Sequence, residues 1–523
     1  MRLSTSGSAS ATDAVIAADG GAAGEYVLAI DIGTGTQRAA LMDRGGHIAD
    51  IAGSTTVLHT PAPGHAEQSP DEWWNGTARN IRAVLDRHPG ARVAGVGVGA
   101  QMHGVVPLAA DGRVLDERVG IWSDKRAAVL VDECRARSDI AELCAVAGNH
   151  PVAAWAGFKT AWYRVNRPEI YAEASVFLIV KDFINYRLTG TKHTDPTEAS
   201  GSFLMDAATD TWSPRLVEAL GLDAAKLPEI APSGSVIGYV TAEAAAQTGL
   251  AEGTPVAGGA GDMLCQLLAA GITRPGRGCD VSGTASIICA FGGTPEPDPR
   301  VMNLRAAGEG WIRFGIADAG GLCLRWIADR LSEVECEEAK NRGVSRYDVL
   351  TALADGVPPG SNGLLFFPYL LGERTMGSSA SRGSFIGLTP AHGRPEMVRA
   401  VLEGLCLELR RTLELIVPPE GIESVRITGG GALSDMWNQI RADTWGTRIR
   451  TFAQFEGGLV GAGILGGVGV GWYADPASAA EDTVQLDRTW DPSPATRRVY
   501  DGAYREFCAV HDLLDPRWRT WEA

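Results

Sequence analysis

The chain has 523 residues, of which 45% are hydrophobic, 21% charged and 7% aromatic, proportions that exclude a disordered or fibrous protein and leave room for two large domains. Its 47 basic and 63 acidic side chains give a net charge of −16, which speaks against nucleic acid as a partner because a phosphate backbone demands a basic stripe. Its 65 glycines, set against a usual share of ~7%, point to many tight turns and close backbone approaches.

Residues 1–24 are rich in Ser, Ala, Gly and Thr with no basic start before an apolar run, and read as a disordered tail rather than a leader. A strand over 26–30 then enters a turn of Asp31, Ile32, Gly33, Thr34, Gly35 and Thr36, and returns as a second strand over 38–43, closed at Gly45 and Gly46. Helical patterns cover 73–85, with Trp73 and Trp74 as core, and 170–186. Between them an apolar strand over 93–98 reads as a parallel strand.

Pro275 and Gly276 break the pattern, so the chain divides near 270–276 into domains of 25–272 and 273–523. After the break the first design returns: 279–281 leads into Ser282, Gly283 and Thr284, then a strand over 285–291, as in an internal duplication. A third strand, 425–428, meets Gly429, Gly430 and Gly431, after which Leu433, Met436, Trp437 and Ile440 mark a helix capped by Ser434 or Asp435. Residues 457–473 carry no charge but include eight glycines and are too short to span a membrane, so a buried, closely packed helix is expected. A last helix over 497–514 is expected to pack back onto the body.

A turn of Gly and Thr lets backbone N–H groups approach an anion and adds hydroxyl donors. Two such turns in corresponding halves, with a triple-Gly turn opening a helix, point to a nucleotide held between related domains. GxxxxGK[ST] and a strand-linked GxGxxG are both missing, which disfavours a P-loop or Rossmann site. Asp31 at the strand end either holds Mg²⁺ beside the phosphates or caps the strand. Asp262, after Gly258, Gly259, Ala260 and Gly261, is either a helix cap or a general base for a hydroxyl. Gln101, Met102 and His103 follow a parallel strand at its carboxyl end, where open α/β sheets bind ligands, although a lone His is more often a satisfied structural residue. Trp122 and Asp124 offer the wall and acceptor a polyhydroxylated sugar needs, or form only a surface turn. The nine cysteines are scattered without a CxxC pair, as free thiols of a reducing cytosol would be.

These residues resemble the FGGY family of carbohydrate kinases, and within it the xylulokinases, from about Tyr26 to the last helix. The most specific run is Gly383, Ser384, Phe385, Ile386, Gly387 and Leu388, followed by Glu396, Met397, Ala400, Val401, Leu402 and Glu403. Glu67, Gln68 and Pro70 before Trp73, Gln101 to Gly104, Lys159 with Trp162, Lys181 with Asp182, and FPYLLGER over 367–374 support it. The resemblance implies an α/β fold of two actin-like ATPase domains, ribonuclease H-like in type, with a catalytic cleft between them. It implies a soluble cytoplasmic enzyme that moves a phosphoryl group from Mg·ATP to a sugar, with no nucleic acid or membrane partner and with a homodimer left open. It makes Asp31 the acidic residue of the first phosphate motif and the Mg²⁺ ligand, and Thr34 a phosphate contact. Gly283 and Thr284 fall in the second phosphate motif, and Gly430 and Gly431 beside adenosine. Met102, His103, Trp122 and Asp124 fall to the sugar, and Asp262 becomes the base. Met263 and Ser123 depart from the Asn that xylulokinases carry at both positions, and Ala156 departs from the usual Pro, Ser or Thr. Other ketoses or polyols, an actin-like ATPase and a sugar-sensing pseudokinase are the alternatives.

Overall fold

The computed structural model describes residues 24–373, 375, 378–418, 421–453 and 455–521, so the tail expected over 1–24 lies, up to residue 23, outside the described residues, as does Arg374 of the FPYLLGER run. The strand Glu25–Ile32 pairs antiparallel with Thr36–Met42 and in parallel with Arg92–Ala100. Ile48–Thr55 extends the hairpin, while Pro255–Ala257 and Val236–Tyr239 extend the sheet beyond Arg92–Ala100. Val27 to Ile32 are all buried, because both faces of the central strand are covered. Leu28, Ile30 and Ile32 pack with Trp73, Trp74 and Ile81 of the helix Pro70–Arg87, whereas Ala29 on the other face joins Leu459, Ala462 and Leu465 of the helix Gly457–Gly469.

The second sheet repeats this plan. Gly276–Ser282 is its central strand, antiparallel to Ser286–Gly292 on one side and parallel to Ile422–Thr428 on the other. Trp311–Ala317 and Met302–Arg305 continue past the hairpin, and Arg448–Phe452 and Leu486–Trp490 past the parallel strand. The duplication expected from the two turns is therefore present in the strand order of both sheets.

The glycine-rich helix is buried as its composition suggested, and it lies on the first sheet although its residues fall between strands of the second. A Cβ on Gly97 would stand 1.9 Å from the carbonyl oxygen of Ala462, and one on Gly461 would stand 2.0 Å from that of Cys265. Glycine at these positions lets the helix rest directly on backbone. The last helix, Pro494–Arg519, packs Phe507 and Trp518 against Phe367 and Tyr369. One expected helix is divided: 170–186 contains the end of the helix Pro168–Glu173, the strand Val176–Ile179 and most of the helix Val180–Thr189. Val176 to Ile179 are buried throughout and pair with Val105–Leu108, so sheet pairing overrides a helical period.

Candidate active site

Strand register brings the two candidate carboxylates to one end of the first sheet. Gly99 lies level with Asp31 on one side and with Ala260 on the other, two strand spacings or roughly 9–10 Å apart. Asp262 follows two residues later and opens the helix Asp262–Ala269. The turn before it is held at several points. Gly258 O accepts from Lys181 Nζ at 2.9 Å and Asn185 Nδ2 at 2.8 Å, Gly259 adopts φ +74°, and Gly261 N donates to Thr197 Oγ1 at 3.0 Å.

Lys181 is fully buried, with Asp182 at 2.5 Å and Asp195 at 3.2 Å. Burial works against its charge, but those carboxylates prevail and raise its pKa. Sequence reasoning noted Lys181 and Asp182 as a run without placing them behind Asp262. For Asp262 itself, burial and then the charge of Asp31 push the pKa up to about 7, against the pull of the Met263 N–H, which donates to Oδ1 at 2.7 Å. A carboxylate tuned near neutrality can accept a hydroxyl proton and release it again. Asp262 thus starts a helix and carries a carboxyl that titrates near neutrality.

Asp31 Oδ2 accepts from Arg38 Nη2 at 2.7 Å, and Arg38 reaches on to Glu456. A Cβ on Gly458 would stand 2.7 Å from the Asp31 carboxylate, so only glycine allows the start of the glycine-rich helix to come this near. Arg38, Glu456 and Gly458 were missed in the sequence, although the hairpin pairs Arg38 directly across from Asp31. Among the described residues there is no group of three or more His, Cys, Asp or Glu able to hold a metal. A single carboxylate fits Mg²⁺, which takes one or two protein oxygens and fills its shell with phosphates and water.

The Gln101–His103 segment lies next to both carboxylates. Gln101 Nε2 donates to Gln68 Oε1 at 2.6 Å, and Gln68 Nε2 donates to Thr34 O at 2.7 Å. Trp122 Nε1 donates to Thr34 Oγ1 at 2.9 Å. The Thr34 hydroxyl, expected on phosphate, is thus engaged with Trp122 and Gln101, and Gly35 is the open position of the turn, with no heavy atom within 4 Å of where its Cβ would be. Met102 packs on Gly261, where a Cβ would stand 2.6 Å from Met102 Cγ. His103 adopts φ +67° and meets Trp155 edge-on at 5.0 Å. Burial and then the Lys159 charge hold its pKa well below the usual value, so the imidazole is neutral. Asp124, expected to accept from sugar, is instead occupied: it accepts from Ala66 N, Arg126 N, Arg126 Nε and Arg126 Nη2 at 2.7 to 3.0 Å. Those four bonds use the capacity of a carboxylate.

On the second lobe, the two remaining turns sit at the carboxyl ends of neighbouring parallel strands. Gly283 O and Thr284 O accept from Gly321 N and Leu322 N in the first turn of the helix Gly320–Leu331, and both residues are exposed. Arg441 joins the turns: it donates to Ser282 Oγ at 2.8 Å and to Gly431 O at 2.9 Å, and pairs with buried Asp280 at 3.2 Å. Gly430 stands open and Gly431 is fixed by contact, since its Cβ would meet Ser282 Oγ at 2.1 Å. Gly283, Thr284, Gly430 and Gly431 are therefore assembled on one surface, and Arg441 was the residue that sequence reasoning missed.

Residues 26–269 match the model of the FGGY family of carbohydrate kinases, N-terminal domain, and residues 281–470 match that of its C-terminal domain. The chain belongs to the FGGY family of carbohydrate kinases. It is a phosphotransferase of that family, with the two-domain, actin-like ATPase type of fold and ATP as phosphoryl donor. It is 29% identical over 486 residues to a xylulose kinase of Bacillus subtilis, spanning 91% of this chain and 94% of that one. It is 30% identical over 500 residues to a gluconokinase of the same organism, spanning 94% and 97%. The structure of a ligand-bound xylulose kinase from Lactobacillus acidophilus superposes with a TM-score of 0.87 at 25% identity, over 95% of this chain and all of that one. No helix among the described residues is long and apolar enough to cross a membrane.

Proposed function

We propose that this FGGY kinase phosphorylates the primary hydroxyl of a ketopentose, D-xylulose being the model substrate, with Asp262 as the general base. The observation that carries the base is the Asp262 carboxyl itself, half-buried at the same sheet end as Asp31 and the Gln101–His103 segment, with its pKa raised to about 7. It takes the hydroxyl proton as the oxygen attacks the γ-phosphorus and the bond from that phosphorus to the β,γ-bridging oxygen breaks to release ADP, and the proton then leaves to solvent. Asp31 would hold Mg²⁺, and the metal when bound neutralises charge on the phosphates. Gly283 and Thr284 would cradle phosphate, and Gly430 and Gly431 would flank the nucleoside. Met102, His103 and Trp122 would line the sugar, while Asp124 would act by fixing Arg126.

The cations around His103 favour a neutral sugar over a sugar acid. Arg126 is spent on Asp124 and Glu67. Lys159 donates to the carbonyls of Ala153 and Ala154, and burial lowers its pKa to about 7. Neither is free for a carboxylate. We further assign 25–272 as the sugar domain and 273–523 as the nucleotide domain, and the nine unpaired thiols fit a cytosolic enzyme.

Coupled ADP release with D-xylulose, other pentuloses, gluconate, glycerol and no sugar tests this reading. A ketopentose is expected to give the highest kcat/KM. Equal ADP release without any acceptor would make the protein an ATPase, and preference for gluconate would overturn the ketose assignment.

A further inference from the structure

Within the second sheet, on the strands that lead into its turns and the one beside them, three arginines share one face of three neighbouring strands. Arg426 lies in register with Arg450 on one side and with Cys279 on the other, and Arg277 is two residues before Cys279. Side chains two apart on a strand point the same way, so all three guanidinium groups project together. They meet where the chain passes between the sheets. Arg277 Nη1 donates to Gly271 O at 2.8 Å, and Arg426 Nη1 donates to Ala270 O. A Cβ on Gly271 would stand 2.2 Å from Arg426 Nη1 and 3.5 Å from Arg277 Nη1, which shows how crowded these charges are.

One carboxylate answers them among the described residues. Glu481 pairs with Arg277, its Oε2 lying 2.9 Å from Nη2. Arg426 is only 3% exposed, bonds no carboxylate, and has an unpartnered buried Nε. Arg450 makes no hydrogen bond or ion pair among the described residues, and its Nε is likewise buried and unpartnered. Burial, and then the charge of Arg277, lower the Arg426 pKa to about 10, with Glu481 opposing. Crowded guanidinium groups with spare donors and too little negative charge are costly unless an anion joins them.

We propose that Arg277, Arg426 and Arg450 form a binding site for a polyvalent oxyanion of the phosphate class, separate from the nucleotide turns. Planar guanidinium forks match phosphate oxygens, and the unused Nε atoms of Arg426 and Arg450 supply adjacent donors. The site touches catalysis through the backbone: Ala270 and Gly271 end the helix that Asp262 begins. An anion that draws Arg426 toward itself competes with the bond that caps this helix.

The test is calorimetric titration of the full-length protein, kept saturated with a nonhydrolysable ATP analogue so that the nucleotide turns are filled. Inorganic phosphate and phenyl phosphate serve as probes and separate free phosphate from a phosphate ester. Saturable binding of either is expected. Arg450→Gln should weaken it tenfold or more, Arg450→Lys should weaken it less, and Glu481→Gln should tighten it. Arg450 makes no bond that the fold needs, and an unchanged melting curve for its variants guards against misfolding. Failure of both probes to saturate the wild type, or an affinity unmoved by Arg450→Gln, overturns the proposal.

Discussion

Asp262 is the first residue of its helix, and that local place and the proposed role as base separate by experiment. Replacing it with Asn keeps the shape and removes the proton acceptor, so turnover on the best sugar should fall by about 10² to 10⁴ while nucleotide binding persists. Retention of more than half the turnover would leave Asp262 only its place at the start of the helix. The carboxyl works deprotonated and its pKa is raised to about 7. Wild-type kcat/KM should therefore rise with pH up to about 7 and level above it, a profile that Asp262→Asn abolishes. Asp31→Asn should shift the Mg²⁺ titration to higher concentration, because the neutral amide keeps the site's size and loses its charge. Met263 follows the base and offers a sugar no hydrogen bond, so Met263→Asn should raise kcat/KM for D-xylulose relative to other pentuloses, and an unmoved ranking would show that position 263 does not read the sugar. Both carboxylates were legible because each is followed or preceded by glycines that open the backbone around it. Asp124 misled for the opposite reason: its sequence neighbours show an acidic residue after Trp122, but not that Arg126 folds back over it.

At the scale of elements, composition spoke clearly where it left one option. Eight glycines in an uncharged run too short to span a membrane favoured a helix pressed against something, and the structure shows that it is pressed on both the first sheet and the helix Asp262–Ala269. What remained hidden was which surface it covers, since that depends on pairing across hundreds of residues. Val176 to Ile179 show the converse: four consecutive apolar residues fit a buried strand and a buried helix equally, and only their partner strand decides. The contact between the two helices makes a sharp test. Gly461→Ala puts a methyl group against the Cys265 carbonyl, and overpacking of this kind costs ~1–3 kcal/mol. A lowered thermal midpoint is expected, with a loss of turnover because the displaced helix carries Asp262. An unchanged midpoint would mean that the glycine-rich helix shifts freely.

For the molecule as a whole, the Gly/Thr turns proposed to hold phosphate lie on different lobes, and on that proposal the γ-phosphate meets the sugar only when the lobes approach and water is squeezed out. The lobes are already joined by Asn149 and Asn303, which exchange bonds of 2.7 and 2.9 Å. Movement should thus be a rotation about that seam. Small-angle scattering should record a smaller radius of gyration with sugar and a nonhydrolysable nucleotide together than with neither, and no compaction at saturation would count against a closing cleft.

The glycine-rich helix also bears on how the protein is made. A ribosome releases the strands of the first sheet before those of the second, yet one face of that first sheet is covered by residues 457–469, which emerge only after most of the second sheet. Until then the small-residue face of Ala29, Gly97 and Gly99 has nothing to rest on, and the early half waits as an incomplete, adhesive intermediate. Residues 1–275 expressed alone should accordingly be insoluble or protease-sensitive, and co-expression of 276–523 should rescue them. A stable, soluble early half would mean that the sheet can close over its own glycines, and that the late helix is a refinement added to an already folded unit.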